Sequence, residues 1–225
     1  MKNPIWIKGL GAVCSIGLNV EGCLESLIAG KRGLRSISML DTIHRGKFQV
    51  GEIKLSDRDM MELLQLPMNS YSAYTRTSLI GMLAAREAVR DAGLDLKDGI
   101  PTALVSATTV GGMDKTEREF SRANVESGFV STHPCGDSTN KIADYLGFEG
   151  YRTTLSTACS SVANSVIHAA RLINHGNVER AIVGGVDALS LFTLNGFKSL
   201  MILDPDMCRP FDRNRKGLNL GEGAG

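Results

Sequence analysis

Cys159 lies in the run Thr157-Ala158-Cys159-Ser160-Ser161 of this 225-residue chain. A β-prone stretch, Tyr151 to Ser156, precedes it, and a helical one, Ser160 to His175, follows. A thiol at the first turn of a helix faces unpaired backbone N–H groups and the positive end of the helix dipole. Both favour thiolate, the form that attacks carbonyls. On position alone the residue reads equally as a nucleophile activated by the fold or as a cysteine filling a core. No histidine is spaced to serve it as a base. His168 stands nine residues on, about two and a half turns and roughly 13 Å along the helix. His175 suits the negative, C-terminal end of the same helix. His133 precedes Pro134 in a loop, and His44 is the only other histidine.

The elements that must position Cys159 can be read from periodicity and punctuation. Ile5 to Leu10 reads as a short strand and Val20 to Ala29 as a helix closed by Gly30. Residues 31 to 66 carry no clear pattern and read as a surface excursion. Ser72 to Ala92 is the clearest helix, with Leu79, Ile80, Leu83, Ala84, Ala88 and Val89 at helical spacing before Gly93. Thr102 to Ala107 reads as a buried strand followed by Gly111-Gly112. Asp114 to Glu126 reads as a surface helix and Ser138 to Leu146 as a short helix. After Cys159, the helix carries Ala163, Val166, Ile167, Ala170 and Ile173 as its packing face. Ala181 to Val186 reads as another buried strand, with Gly184-Gly185 marking a close backbone approach. Gly221 to Gly225 reads as a turn entering a strand. Strand-helix alternation predicts an α/β layered domain with a mixed, mostly parallel sheet covered by helices.

Composition narrows the function classes. The chain is 43% hydrophobic with formal net charge +1, which supports a sizeable core and gives no bulk signal for nucleic acid or an anionic membrane. Lys8 interrupts any apolar leader, and no stretch nears the roughly 18 apolar residues of a membrane helix. Five cysteines at scattered spacing, none in a CxxC pair, argue against a zinc site or a disulfide framework and fit a reducing, cytoplasmic setting.

Four motifs occur in order: Ser156-Thr157-Ala158-Cys159-Ser160-Ser161, Gly184-Gly185-Val186-Asp187, Cys208-Arg209-Pro210-Phe211-Asp212 and Gly221-Glu222-Gly223-Ala224. With the helix ending Glu87-Ala88-Val89-Arg90-Asp91-Ala92-Gly93-Leu94, the chain resembles the N-terminal half of an elongating β-ketoacyl-acyl carrier protein synthase. The resemblance implies a thiolase-like fold, with residues 1–225 as one of its two similar halves. It implies decarboxylative Claisen condensation in fatty-acid or polyketide-type synthesis, without metal or organic cofactor. Cys159 matches the nucleophile, and its amide one arm of an oxyanion hole. Val110, Ala158, Thr193 and Phe197 match acyl-pocket positions; each reads equally as simple packing. Arg209 and Asp212 are expected to pair as ions across Pro210-Phe211, and Glu222 is expected to be structural.

The family's catalytic histidines, a lysine and a gating loop follow the Gly-Glu-Gly-Ala motif, so the chain alone is expected not to condense and to expose an apolar face. The resemblance also implies an acyl carrier protein as partner, with Arg76, Lys115, Arg118 and Arg122 as possible docking residues or an ordinary solvated face. It further implies a homodimer, or pairing with a related ketosynthase subunit, through Arg152 to Ser156. Three other readings stand beside this one: a thiolase acting on coenzyme A thioesters, a non-catalytic partner subunit, and a stand-alone α/β binding domain.

Overall fold

The computed structural model describes residues 4–120 and 129–225. The chain opens with β1 (Val13–Cys14) and α1 (Val20–Ile28), then the hairpin β2 (Arg35–Ser36) and β3 (Gln49–Val50). Helix α2 (Asp57–Leu63) leads through a 3-10 turn to α3 (Arg76–Asp91), β4 (Thr102–Ala107) and α4 (Met113–Glu119). Then come α5 (Phe129–Thr132), α6 (Cys135–Leu146), β5 (Tyr151–Leu155) and α7 (Ser161–Asn174). The chain closes with β6 (Arg180–Val183), β7 (Val186–Asp187), α8 (Leu191–Ser199) and β8 (Gly223–Ala224).

Strand β4 is buried at all six residues and runs parallel to β5 on one side and β6 on the other. Alternation along it sends Leu104 to one face and Ala103 and Val105 to the other. Leu104 joins Leu79, Ile80, Leu83, Ile142 and Val186 in the main core under α3 and α6. Ala103 and Val105 pack with Ala169 of α7 and Val178. The result is a helix-sheet-helix layering, as expected. A second, antiparallel sheet, in the order β1-β8-β7, continues from β6 through Gly184-Gly185.

Local chemistry explains the best-formed elements. Thr75 and Ser78 make a reciprocal capping box at the start of α3, and Gly93, at φ +59°, follows its last turn. Between 31 and 66 the surface-excursion reading fails. Ser56 and Asp59 form another capping box, and Ile53, Met60 and Met61 are fully buried in the main core. Ile5 to Leu10 is not a strand; Leu10 N–H instead donates to Asp91 at 2.8 Å. Ala181 to Val186 is two strands broken at the glycine pair. Helix α4 stops at Glu119, and the rest of the expected helix after Phe120 lies outside the described residues up to 128.

The face of α7 that meets the sheet also differs from the expected one. Ser161, Ser165 and Ala169 are its buried residues, while Val166 and Ile167 are 50% and 47% exposed. Serine can face inward because each hydroxyl finds a carbonyl: Ser161 donates to Ala158 O at 2.7 Å, and Ser165 to Val162 O at 2.7 Å. Ala163, Val166 and Ile167 are thereby turned outward, while Ile173 of the expected face still packs, half-buried, against the core with Ala169 and Val178.

Candidate functional site

A 3-10 turn, Ala158–Ser160, carries Cys159 from the end of β5 into the first turn of α7. The thiol is free and exposed. Ala158 adopts φ +52°, a left-handed conformation that costs a side-chain-bearing residue about 1–2 kcal/mol. Hydroxyls hold this strained turn. Ser161, almost fully buried, accepts from Thr157 N–H at 2.8 Å while donating to Ala158 O. Ser160 donates to Thr157 O at 2.8 Å, and Asn164 donates to Thr157 Oγ1 at 2.8 Å. The short residues flanking Cys159 thus shape a turn that projects one thiol outward.

Glycines bring this turn close to the sheet. A Cβ on Gly185 would sit 2.5 Å from a Val162 methyl carbon, so only glycine lets the first turn of α7 approach the β6–β7 junction. Asp187, in the same motif, takes hydrogen bonds at 2.8 Å from both Thr108 Oγ1 and Thr109 N–H. That fixes the loop carrying Val110. The loop also meets the cysteine turn, because Thr108 N–H donates to Leu155 O at 3.2 Å and Ser156 Oγ to Thr109 O at 3.3 Å. Val110 and Ala158 therefore belong to adjoining loops, Val110 half-buried and Ala158 exposed.

Thr193 and Phe197 lie on α8, both half-buried. Ser190 caps this helix through Thr193 N–H at 3.1 Å, and the Glu117 carboxylate accepts from Leu191 N–H and Phe192 N–H at 2.7 and 2.9 Å. Burial pushes the Glu117 carboxyl up despite those donors. The bonds of α8 thus run to α4, and to His44 through Asn195 at 2.9 Å, not to the cysteine turn.

The other histidines have their own partners: His133 with Thr116 at 2.9 Å, His168 with Tyr151 at 3.5 Å and His175 with Arg171 O at 2.7 Å. His175 is the C-cap of α7, as its position predicts. Among the described residues no three acidic, histidine or cysteine side chains gather as a metal site.

Glu222 is structural in geometry. It is buried, takes two bonds from Arg76 at 2.9 and 2.6 Å, and accepts Ile53 N–H and Leu189 N–H. Arg76 also bonds Asp57 and two backbone carbonyls. It cannot double as a docking cation, and neither can buried Lys115, whose ammonium donates to Ser72 O. Arg118 is half-exposed but pairs with Asp57 and Asp114, and Arg122 lies outside the described residues. The expected Arg209–Asp212 ion pair does not form. Arg209 donates instead to Asn214 O at 2.7 Å and Asp212 accepts Asn214 N–H at 2.6 Å, so backbone bonds pin the turn.

The chain is an α/β layer that presents an exposed cysteine at a helix start, beside a Gly-Gly junction. Residues 2–225 match the family described as "Beta-ketoacyl synthase, N-terminal domain", and the chain belongs to that family. It is 30% identical over 238 residues to "Nodulation protein E" of Rhizobium meliloti strain 1021, covering all of this chain and 57% of that protein. It is 29% identical to "3-oxoacyl-[acyl-carrier-protein] synthase 2" of Staphylococcus aureus strain N315, covering 97% of this chain and 55% of that one. A solved ishigamide ketosynthase/chain length factor matches with TM-score 0.84 and 31% identity over 97% of this chain and 56% of its own. The chain thus spans about half the length of the curated relatives it matches. No helix among the described residues is long and apolar enough to cross a membrane.

Proposed function

We propose that this chain is the N-terminal half of a ketosynthase and that Cys159 is its nucleophile. An acyl group passes from an acyl carrier protein to the Cys159 sulfur, forming a thioester and releasing the carrier thiol. A malonyl unit on carrier protein then loses CO₂, and the resulting carbanion attacks that thioester. The observation that carries this reading is the exposed thiol on a strained turn at the amino end of α7. There, the first backbone N–H groups of a helix can receive a developing oxyanion. Val110 and Ala158, on adjoining loops, are proposed to flank the acyl chain, with Thr193 and Phe197 lining it further out.

The half-exposed Val166 and Ile167 of α7 support a second half of the enzyme covering this face. The histidines that would steady the enolate are proposed to belong there, since the four in this chain are engaged elsewhere. Among the described residues, strand β5 is paired on one side only, to β4. Its other edge, with Tyr151 and Arg152 exposed, is proposed to join a second ketosynthase subunit. A chain length factor role is the second reading. The ketosynthase/chain length factor pairs among the structural relatives favour it, and the cysteine at 159 weighs against it.

The test is acyl transfer. Incubated with acyl-carrier protein, the chain is expected to take up one acyl group at Cys159 in preference to Cys14, Cys23, Cys135 and Cys208, read by peptide mass. Malonyl-carrier protein is expected to yield no elongated product with this chain alone. Uptake spread over all five thiols, or none at Cys159, would reject the nucleophile.

A further inference from the structure

We propose that Cys14 and Cys23 form an oxidisable dithiol, a modification site that low-molecular-weight disulfides convert to an intramolecular disulfide. Their sulfurs lie 3.6 Å apart, although the residues are nine positions apart in the chain. Both side chains are half-buried and within reach of a small oxidant.

The local structure holds this pair together. Cys14 and Gly17 exchange two backbone hydrogen bonds, at 2.8 and 3.2 Å, which reverses the chain after β1. Asn19 then caps α1, its side chain accepting Gly22 N–H at 2.7 Å. Cys23 falls one turn into α1, donating its N–H to Asn19 O at 3.0 Å, and its side chain points back to β1. Gly17 is the residue that permits the fit, since a Cβ there would meet Cys23 N at 2.3 Å and its sulfur at 2.7 Å. The Glu87 carboxylate of α3 clamps both limbs, accepting Ala12 N–H at 2.9 Å and Val20 N–H at 2.8 Å. Burial, the bond to Cys14 and the nearby Glu87 push the Cys23 thiol up to about 11, which disfavours Cys23 as the first thiol to attack.

The exchange balances without any other reactant. The Cys14 thiolate attacks one sulfur of the small disulfide, breaking its S–S bond and expelling one thiol. Cys23 then gives up its proton and attacks the Cys14 sulfur, breaking the mixed disulfide and expelling the second thiol. Two cysteines lose two electrons, the small disulfide gains them, and both protons leave on the expelled thiols. The product ties the start of α1 to β1, which pairs with Gly223–Ala224.

The test treats the folded 225-residue protein with oxidised glutathione, then alkylates with iodoacetamide in denaturant and digests with trypsin. Both cysteines fall in the peptide Gly9–Lys31. It is expected to be two hydrogens lighter than its reduced form and to carry no alkyl group. The melting temperature is expected to rise by roughly 5 °C and to return on reduction. In Cys23→Ser, Cys14 is expected to stop at a single glutathione adduct. The proposal is overturned if the wild-type peptide carries two alkyl groups or two glutathiones, if oxidation lowers the melting temperature, or if Cys14 stays bare in Cys23→Ser.

Discussion

Two regions of this chain carry motif residues that look equally chemical, and they are built in opposite ways. Around Cys159 the chain places an exposed thiol on a left-handed alanine, held by hydroxyl and amide groups of Ser160, Ser161 and Asn164. Around Arg76 it gathers Glu222, Asp57 and Asp114 out of water, and nearly every polar atom is bound to a neighbour. The first region stores strain and points its sulfur outward. The second uses formal charge as a rivet joining α2, α3, the segment after β3 and the Gly-Glu-Gly-Ala turn. Charge density here marks a structural joint, and backbone strain with exposure marks the site proposed for chemistry.

The largest expected effect lies in the rivet. Glu222→Gln leaves the buried Arg76 guanidinium short of its bidentate partner, with Asp57 alone to balance it. Removing one partner of a buried pair costs about 3–5 kcal/mol. Urea unfolding should show a loss of that size, while the rate of iodoacetamide labelling at Cys159 in the folded protein should hold. A loss below about 1 kcal/mol would mean that water already screens the network, and the contrast between the regions would fail.

Asp114 gives the next effect and a pH signature. Burial, with the neighbouring Asp57 acting in the same direction, pushes its carboxyl up to about 6, despite Arg76 N–H and Arg118. Its Oδ1 is buried without a partner. Between about pH 4 and 6 the folded protein holds a proton here that the unfolded chain has released. Stability from this group is therefore present at pH 4 and lost as pH rises through 6. Asp114→Asn removes the penalty, so the variant should gain on the wild type across that window, by about 3 kcal/mol at pH 7. Equal gains at pH 4 and pH 7 would show that the carboxyl titrates normally. Glu52 supplies the opposite slope at lower pH. Burial pushes it up, but Lys54 and the N–H groups of Ser38, Met39 and Leu40 outweigh that and bring it to about 2. Its contribution is present above about 4.5 and fades as pH falls towards 2.

Much of this architecture was legible in the residues, for definite reasons. The helix from Arg76 and the buried strand from Thr102 were readable because their apolar spacing and glycine stop agree with their tertiary setting. Cys159 was readable because its small neighbours and the preceding strand define its turn. Helix α2 was missed although Ser56-x-x-Asp59 is a capping signal, because its apolar stripe of Met60, Met61 and Leu64 spans little more than one turn amid charged residues. The outward turn of Val166 and Ile167 was not readable. Periodicity reports that a stripe exists, whereas the side that meets the sheet was decided by serine hydroxyls finding carbonyls. The Arg209–Asp212 pairing failed for a related reason: opposite charges three apart in a turn found backbone groups closer than each other.

The smallest effect is the sharpest probe of the cysteine turn. Ala158→Gly relieves about 1–2 kcal/mol of left-handed strain but adds about 0.5–1 kcal/mol of freedom to the unfolded chain. The variant should melt about 2 °C higher, while acyl transfer to Cys159 should slow, because a glycine lets the turn relax away from the geometry that projects the sulfur. Simple alkylation by iodoacetamide needs an exposed thiolate but no oxyanion site, and should change less than acyl transfer does. A variant that melts lower would mean Ala158 is not strained. One that melts higher with acyl transfer unchanged would mean that the hydroxyls of Ser160 and Ser161 alone set the position of the thiol.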